Sequence, residues 1–316
     1  MKISAIIRII LGSLIALCLI SILVLGLSGG NIFGFIKNVN FPTNIGLASY
    51  SYQNSEAYSI GGSHIAAEEI NDINVNWVSG DIKIIAYDGD EIVLSETSEK
   101  ALSESEKLRY LVQDNKLTIQ FSAPSRGLSM FFNSIPDKTL ELKIPLQLAS
   151  NMNILNVDSV SAQLDMQNIS AEKLDLHTVS GDIILANTIC TALTIESVSG
   201  KISFNGLTAT TVRAENVSGD AELIGNFNEL DYQSVSGRVT IATDQAPKKY
   251  RIETVSGAIE LAIPENDGFI AAYDTVSGSF SCDFPTTSKK EQTVYKNGQS
   301  RLDLETVSGN ISITKK

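Results

Sequence analysis

The residues best suited to nucleophilic catalysis are two histidines and a set of serines in identical surroundings. His64 and His177 are the only histidines in the chain. A serine hydrolase requires a histidine beside one distinguished serine. The candidate serines instead recur in the same Val-Ser-Gly triplet, which occurs eight times. Equivalent serines indicate a structural role, so the sequence predicts no catalytic residue and no enzymatic activity.

Acidic residues precede most of these triplets by a fixed distance and raise the question of cation binding. They stand two places before the valine, and carboxylate oxygens are the ligands that calcium prefers. His177 and Gln233 interrupt this acidic column, while Arg213 and Arg251 stand close enough to relieve its charge. A solvated face is therefore the favoured interpretation, and a cation site is the alternative. The residues of that alternative site are Glu196, Glu215, Glu253, Asp274 and Glu305.

Other cofactor motifs are missing from the sequence. It contains no glycine-rich phosphate loop, no HExxH motif and no paired-cysteine metal spacing, so no cofactor is predicted. Cys190 and Cys282 lie four repeats apart, and we predict that both are free thiols.

The Val-Ser-Gly triplet returns with a nearly constant period. Counting from Val160, which begins a Val-Ser-Ala variant, the steps are 19, 19, 19, 18, 20, 21 and 31 residues. A period of this size is typical of stacked structural repeats. The valines and glycines that we predict to be structural are Val179, Gly181, Val198, Gly200, Val217, Gly219, Val235, Gly237, Val255, Gly257, Val276, Gly278, Val307 and Gly309.

Alternating apolar residues on both sides of each triplet predict two short strands per repeat. Leu174 and Leu176 precede Val179, whereas Ile183 and Leu185 follow it. The alternation slips by one residue, and we place this corner just upstream of the valine, with the valine facing inward. The glycine then provides either a positive φ or room for the neighbouring coil. The predicted fold is all-β, a single-stranded β-helix-like solenoid with coils of about 19 residues.

The N-terminus contains a segment long enough to cross a membrane. Lys2 and Arg8 precede an uncharged, mostly apolar run over residues 9–27. Nineteen residues of helix span roughly 28 Å, about the thickness of the hydrocarbon core of a bilayer. The basic residues favour a cytoplasmic N-terminus, so we predict a single-pass protein of the cell membrane with an extracytoplasmic body. A cleaved signal peptide is the alternative, because Gly26 and Ser28 are small enough to flank a cleavage site.

Composition along the chain divides it into four parts. Residues 1–28 form the predicted transmembrane anchor, 29–57 a linker, 58–150 an N-terminal β cap with the first repeat, and 151–316 the solenoid repeats. Within the cap, residues 95–109 predict a surface excursion with a helical turn. Near the C-terminus, residues 286–300 are an insertion, after which residues 299–314 are expected to close the stack.

The charge of the chain limits its partners. The formal net charge is −12 at pH 7, which argues against nucleic acid as a partner. The predicted partners are the membrane, through the N-terminal helix, and a cell-wall polymer or envelope proteins. The sequence leaves the oligomeric state open.

The repeat sequence resembles a known family. Three segments carry the resemblance: residues 179–183 with their copies, Lys143-Ile144-Pro145, and residues 304–311. They are similar to the DUF4097 group of bacterial β-strand-repeat proteins, also labelled adhesins, over roughly residues 60–316. The resemblance implies a β-repeat fold and no catalytic residues. A membrane anchor followed by such a domain is also similar to accessory proteins encoded with envelope-stress signalling systems.

Three functions are compatible with these observations. The first is a non-enzymatic, extracytoplasmic, membrane-anchored module that binds a surface or cell wall in the manner of an adhesin. The second is an accessory protein of envelope-stress signalling. The third is a polysaccharide-active β-helix enzyme, which is disfavoured because an active site should interrupt the regular repeat.

Overall fold

The structure is a computed structural model that describes residues 49–50, 52–126, 135–289 and 291–316. The predicted anchor and most of the predicted linker lie outside the described residues. No helix in the described ranges is long and apolar enough to cross a membrane.

Strands dominate the described chain, which is all-β as predicted. The cap contains β1 (Ser49–Tyr50), β2 (Ser59–Ile60), β3 (Ser63–Ala66), β4 (Asp72–Tyr87), β5 (Glu91–Ser98), β6 (Arg109–Gln113), β7 (Lys116–Gln120), β8 (Ser125–Arg126) and β9 (Lys138–Pro145), with a 3-10 turn at Ser55–Ala57 and a short helix α1 (Leu146–Ala149). The repeats contain β10 (Met152–Gln167), β11 (Ser170–Ser180), β12 (Ile183–Ala186), β13 (Ile189–Ser199), β14 (Ile202–Ser218), β15 (Ala221–Ser236), β16 (Val239–Ala242), β17 (Lys249–Ser256), β18 (Ile259–Ile263), β19 (Gly268–Ser277), β20 (Phe280–Cys282), β21 (Thr287–Lys289), β22 (Gln292–Lys296), β23 (Ser300–Ser308) and β24 (Ile311–Lys315).

Each coil bends at its triplet, and the two arms of the bend join two different sheets. The first sheet contains the arms upstream of the triplets, in the order β2, β6, β7, β4, β10, β11, β13, β14, β15, β17, β23, β19, β22 and β21. The second sheet contains the downstream arms, in the order β3, β5, β9, β4, β10, β12, β14, β15, β16, β18, β24 and β20. The long strands β4, β10, β14 and β15 belong to both. The predicted solenoid-like repeat is therefore confirmed.

The core lies between the two sheets and consists of like residues stacked in register. Leu174 pairs with Leu193, and Leu193 pairs with Val212, in successive strands. All three are at most 2% exposed. Fully burying a side chain of this kind contributes about 1.5–3 kcal/mol. The column therefore stabilises each coil through its two neighbours.

The inward position at the corner is not the valine. Val198 and its counterparts are only half-buried, and Val276 is 67% exposed; Val179, at 8%, is the most buried valine of the set. The buried residue is the one before the valine, such as Thr178 or Ser197. Thr178 Oγ1 donates to the carbonyl oxygen of Ser180 at 3.0 Å, so this hydroxyl can be buried. Except at Val179, the predicted inward valine is wrong, and so is the predicted slip upstream of it, because the change of face occurs at the glycine.

The glycines at the corners allow the coils to approach closely. Gly200 and Gly219 have φ values of 143° and 134°, which side chains rarely permit. A Cβ on Gly200 would lie 2.2 Å from the carbonyl oxygen of Gly181, and one on Gly219 would lie 2.1 Å from that of Gly200. Each corner thus rests on the backbone of the corner below it.

The final repeat does not close the stack, contrary to the expectation for residues 299–314. Strand β23 pairs with β17 on one side and β19 on the other, so the coil of Val307 lies between those of Val255 and Val276. The insertion explains this order. Strand β22 runs antiparallel to β19 on the side that faces away from the other coils. The chain then passes to the opposite side of β19, where β23 pairs between β19 and β17. The coil of Val276 is consequently the terminal rung.

A buried lysine fastens the N-terminal cap. Lys138 is 1% exposed; its Nζ lies 3.0 Å from Glu96 Oε2 and donates to the carbonyl oxygens of Glu106, at 2.7 Å, and Phe121. The ammonium group also lies over the rings of Trp77 and Phe121. Burial lowers the pKa of Lys138, and Glu96 opposes this change. One cation thus joins β9, β5 and the end of β7.

Two predicted features of the cap differ from the structure. Residues 95–98 belong to β5 rather than to a surface excursion, whereas the predicted helical turn is present, since the backbone nitrogens of Glu106 and Lys107 donate to the carbonyl oxygen of Ser103. The end of the predicted linker also packs on the cap. The hydroxyl of Tyr50 donates to Gln120 Oε1 at 2.8 Å and accepts from the backbone nitrogen of Phe121 at 3.1 Å.

Replacing a corner glycine should be far more damaging than replacing a glycine in open space. We expect Gly200→Ala to cost at least about 3 kcal/mol in the free energy of unfolding, since the methyl group must displace backbone. Gly61 is the matched control, because its φ is 79° but no atom lies within 4 Å of its Cβ position. Gly61→Ala should cost only about 1–2 kcal/mol. Urea denaturation monitored by circular dichroism measures both, and equal losses would contradict the contact.

Removing the buried ammonium group should leave a buried carboxylate without its partner. We expect Lys138→Met to destabilise the protein by about 3–5 kcal/mol, because the buried side chain of Glu96 loses the cationic partner that lies 3.0 Å from it. The double variant Lys138→Met with Glu96→Gln should regain part of this loss in the same urea titration. A double variant no more stable than Lys138→Met would show that the ion pair is not the cause.

Candidate functional site

The outer face of the first sheet carries ordered columns of polar side chains. Residues two, four and six places before each triplet valine point outward, and parallel pairing sets each beside its counterpart in the next coil. Like positions therefore form lines across the coils. In spatial order, the acidic column is Asp158, His177, Glu196, Glu215, Gln233, Glu253, Glu305 and Asp274.

Arginines on the same strands neutralise part of this column. Arg213 Nη2 lies 2.6 Å from Glu215 Oε1, and Arg251 Nη2 lies 2.7 Å from Glu253 Oε1. Each pair is two residues apart, so both side chains leave the same face of one strand. The relief by Arg213 and Arg251 that the sequence predicts is thus present.

The acidic column has no metal-binding geometry in the described part of the chain. No group of three or more His, Cys, Asp or Glu side chains there is placed to hold a metal ion. Each of the five candidate ligands occupies its own coil, and Glu196 lies beside Glu215 of the adjacent coil. Glu305 and Asp274 lie on adjacent coils at the far end of the column. Cation binding by these five residues stays the untested alternative to a solvated face.

One section of the column is electrostatically unusual. His177 Nδ1 lies 2.9 Å from Asp158 Oδ1, with only 13% and 11% of the two side chains exposed. Burial lowers the pKa of His177, but the hydrogen bond and charge of Asp158 outweigh it, so the pKa is raised overall. Burial raises the pKa of neighbouring Glu196, and His177 opposes this change. Protons therefore bind here more readily than on isolated side chains.

A depression beside this section interrupts the flat face. Its volume is about 280 Å³, and it spans β13, β14, β15 and β17. Small side chains on β13 and β14 form its floor, and longer charged side chains of both signs surround it. Asp231 Oδ1 is buried there without a hydrogen-bond partner among the described residues. The outward lining residues are Ala192, Thr194, Thr211, Arg213, Glu229, Asp231, Lys249 and Arg251.

Neither the histidines nor the triplet serines line this depression. His64 is on β3 of the second sheet, with Nδ1 3.1 Å from Glu91 Oε2, whereas His177 is on the first sheet. Ser180 and the corresponding serines of later triplets are exposed at the corners. The absence of enzymatic activity stays a prediction.

The two cysteines of the described ranges occur as free thiols. Cys190 is buried and Cys282 half-buried, and neither forms a disulfide, as predicted. Burial raises the pKa of the Cys190 thiol to about 12, which makes it unreactive at neutral pH.

Comparison with protein families identifies the repeat. The family model described as Toastrack DUF4097 matches residues 70–314. The chain belongs to this Toastrack family. The match covers the cap strands from β4 onward together with every coil of this Toastrack protein.

Solved structures of low identity also match. A structure named "putative lipid binding protein" from Parabacteroides distasonis ATCC 8503 is 16% identical, with 82% of this chain and 96% of that chain covered and a TM-score of 0.49. One named "putative adhesin" from Bacteroides fragilis NCTC 9343 is 11% identical, with 81% and 97% covered and a TM-score of 0.48. These similarities carry no functional argument. A search of curated proteins finds no match.

The sequence contains a pattern that predicts the charged face, but the repeated triplets make this pattern hard to notice. Basic and acidic residues two places apart recur upstream of several triplets, as in Lys173-x-Asp175, Arg213-x-Glu215 and Arg301-x-Asp303. All three form ion pairs, at 2.6, 2.6 and 2.8 Å. The depression has no comparable signal, since it requires small side chains on adjacent coils.

Replacing Glu196 with glutamine should stabilise the protein at neutral pH. Because the pKa of Glu196 is higher in the folded state than in the unfolded state, protonation of this side chain favours folding. This contribution to the free energy of unfolding is complete below the unfolded-state pKa and is lost as the pH rises through the folded-state pKa. Glu196→Gln removes this loss, so we expect Tm to rise by about 1–3 °C at pH 7 and to match the wild type near pH 4. Differential scanning calorimetry across this pH range measures the difference.

Glu215→Gln is the matched control, because Glu215 occupies the next coil but is paired with Arg213. It should leave Tm at pH 7 unchanged or slightly lower. A gain in Tm from Glu215→Gln equal to that from Glu196→Gln would assign the effect to the general charge of the column.

Proposed function

We propose that this Toastrack protein is a non-enzymatic, membrane-anchored interaction module whose extracytoplasmic body binds a cell-wall polymer. The apolar run at residues 9–27 supports the anchor. The depression on the first sheet is the observation that carries the binding proposal, because it is a concave site on a rigid, in-register scaffold.

The charges around the depression suggest the chemistry of the ligand. Lys249 and Arg213 offer cationic groups, while Glu229 and Asp231 offer carboxylates. A ligand that carries amines as well as carboxylates would find partners for both. The lining contains no aromatic ring, so it offers no stacking surface for a sugar. The peptide stems of peptidoglycan have these properties and are the part of the polymer that we assign to this face.

The outward columns also suit a repeating ligand. Neighbouring strands of the sheet lie about 4.8 Å apart, so chemically related side chains recur at a fixed step across the face. A polymer can therefore contact several coils at once. The weak contacts at successive coils would strengthen binding together, because all of them join the same protein to the same polymer.

Reversing the charge of Lys249 should weaken polymer binding. Lys249 is exposed and belongs to the lining, so Lys249→Glu changes the site without burying a charge. We expect the amount of purified peptidoglycan needed for half-maximal co-sedimentation of residues 52–316 to increase about tenfold, or about 1.4 kcal/mol.

Lys83→Glu is the matched control, since Lys83 is exposed on the second sheet and its reversal changes the net charge equally. It should alter the half-maximal amount less than twofold. Equal effects from both variants would show that polymer binding depends only on the net charge of the protein. A wild-type body that does not sediment with peptidoglycan would overturn the proposal and favour the envelope-stress role, whereas release of soluble glycan would favour the polysaccharide-active enzyme.

A further inference from the structure

The buried contact between Lys138 and Glu96 brings together two groups that can react with each other. Strands β5 and β9 are antiparallel neighbours, and the two side chains come from diagonal positions, since Ser98 pairs with Lys138 and Glu96 pairs with Leu140. Lys138 Nζ lies 3.0 Å from Glu96 Oε2, with 0% of the lysine side chain and 8% of the glutamate side chain exposed. An amine and a carboxyl group thus meet where water is largely excluded.

Two hydrogens of Lys138 Nζ are held by backbone carbonyl groups. Nζ donates to the carbonyl oxygen of Glu106 at 2.7 Å and to that of Phe121. One position on the nitrogen is left for Glu96, and it is either the third proton of an ammonium group or the lone pair of an amine. Burial lowers the pKa of Lys138, which favours the amine. In that form, the lone pair is the part of Nζ left for the contact with Glu96.

The carboxyl group of Glu96 is held in the way that acyl transfer requires. Its Oε1 accepts a hydrogen bond from the backbone nitrogen of Leu108 at 2.9 Å. Such a donor stabilises the negative charge that develops on a carbonyl oxygen when a nucleophile attacks. Oε2, in contrast, is buried without a hydrogen-bond partner among the described residues. Its contact with Nζ is therefore a close approach, and Oε2 is the oxygen that can leave.

We infer that Lys138 and Glu96 condense to an isopeptide bond between Nζ and Cδ. A proton first moves from the ammonium group to Oε2, which makes the pair neutral. The lone pair of Nζ then attacks Cδ, and negative charge forms on Oε1. Nζ passes a second proton to Oε2, the bond between Cδ and Oε2 breaks, and one water molecule leaves. Atoms and charges balance without an oxidant, a metal or another enzyme.

The surroundings favour the amide over the ion pair. Two charges removed from water carry a large desolvation cost, which a neutral amide avoids. The ring centroids of Trp77 and Phe121 lie 4.9 and 4.0 Å from Nζ, so apolar groups oppose the return of water. After the reaction, Oε1 keeps its hydrogen bond from Leu108, and Nζ keeps one hydrogen for a carbonyl oxygen.

The bond fixes the cap covalently. It closes a loop over residues 96–138, which contains β6, β7 and β8. Closing a loop reduces the conformational entropy of the unfolded chain, so the cap resists opening by heat or by tension. This inference goes beyond the proposed polymer binding and does not rest on it.

Peptide mass spectrometry of the full-length protein tests the bond directly. Trypsin cleaves after lysine and arginine, so it releases Glu96 in the peptide 84–100 and a blocked Lys138 in the peptide 127–143. We expect these two peptides as one species that is lighter than their sum by one water molecule, with fragmentation that places the link between Glu96 and Lys138. Recovery of Lys138 only in unlinked peptides that end at this residue would overturn the inference.

The same digest contains a matched internal control. Lys201 Nζ lies 2.8 Å from Glu222 Oε2, but 47% of each side chain is exposed. We expect no linked peptide from this pair, because water hydrates both charges. A link between Lys201 and Glu222 as abundant as that between Lys138 and Glu96 would show that water is lost during sample handling, and would overturn the inference.

The reactivity of the amine provides a second measurement that needs no variant. Reductive methylation in concentrated urea modifies free lysine amines, whereas the nitrogen of an amide does not react. We expect Lys138 to be methylated at least about tenfold less than Lys201, as measured by mass spectrometry after digestion. Equal methylation of the two lysines would show that Lys138 stays a free amine, contrary to the inference.

Discussion

The close contact between successive corner backbones determines the rest of the structure. Gly219 lies so near the carbonyl oxygen of Gly200 that a Cβ would approach it to 2.1 Å, and the same holds along the stack. This contact permits no change of register, because a shift by one residue would bring a side chain into the gap. Every outward column, including the acidic one, is aligned as a consequence. The ion pair between Arg213 and Glu215 recurs two coils later between Arg251 and Glu253 for the same reason.

The period and the alternation predicted the all-β repeat because both are local properties of the sequence. The corner was harder, because Thr178 and Ser197 fill its inward position and polar residues do not look buried. The hydroxyl of Thr178 donates to the carbonyl oxygen of Ser180, and that of Ser234 donates to the carbonyl oxygen of Ser236, an environment that no hydrophobic pattern reveals. The order of the coils was also hidden. Since all triplets are alike, the coil of Val307 fits beside that of Val255 as well as any other, and only the path of β22 decides its place.

Features that depend on contacts between distant, non-repeating residues were not predictable. Lys138 is one of few buried charges in the described chain, and its partners are Glu96 on β5 and Phe121 just after β7. Its sequence neighbours give no sign of this. The depression likewise needs Ala192 and Thr211 on adjacent coils beside the longer Arg251. A small residue in one coil is unremarkable, whereas two in register leave a space. Such coincidences arise only when the coils are stacked.

The charges of the outer face are balanced along each strand rather than between coils. Arginine–glutamate pairs two residues apart offset the acidic charge within single coils, which allows acidic residues to recur in one column. The coils of Asp158, His177 and Glu196 depart from this rule, because their charges interact across coils. Thr194, two residues before Glu196, lines the depression. The part of the face that responds most to pH is therefore adjacent to its concave site, and protonation there alters the field that a charged ligand meets.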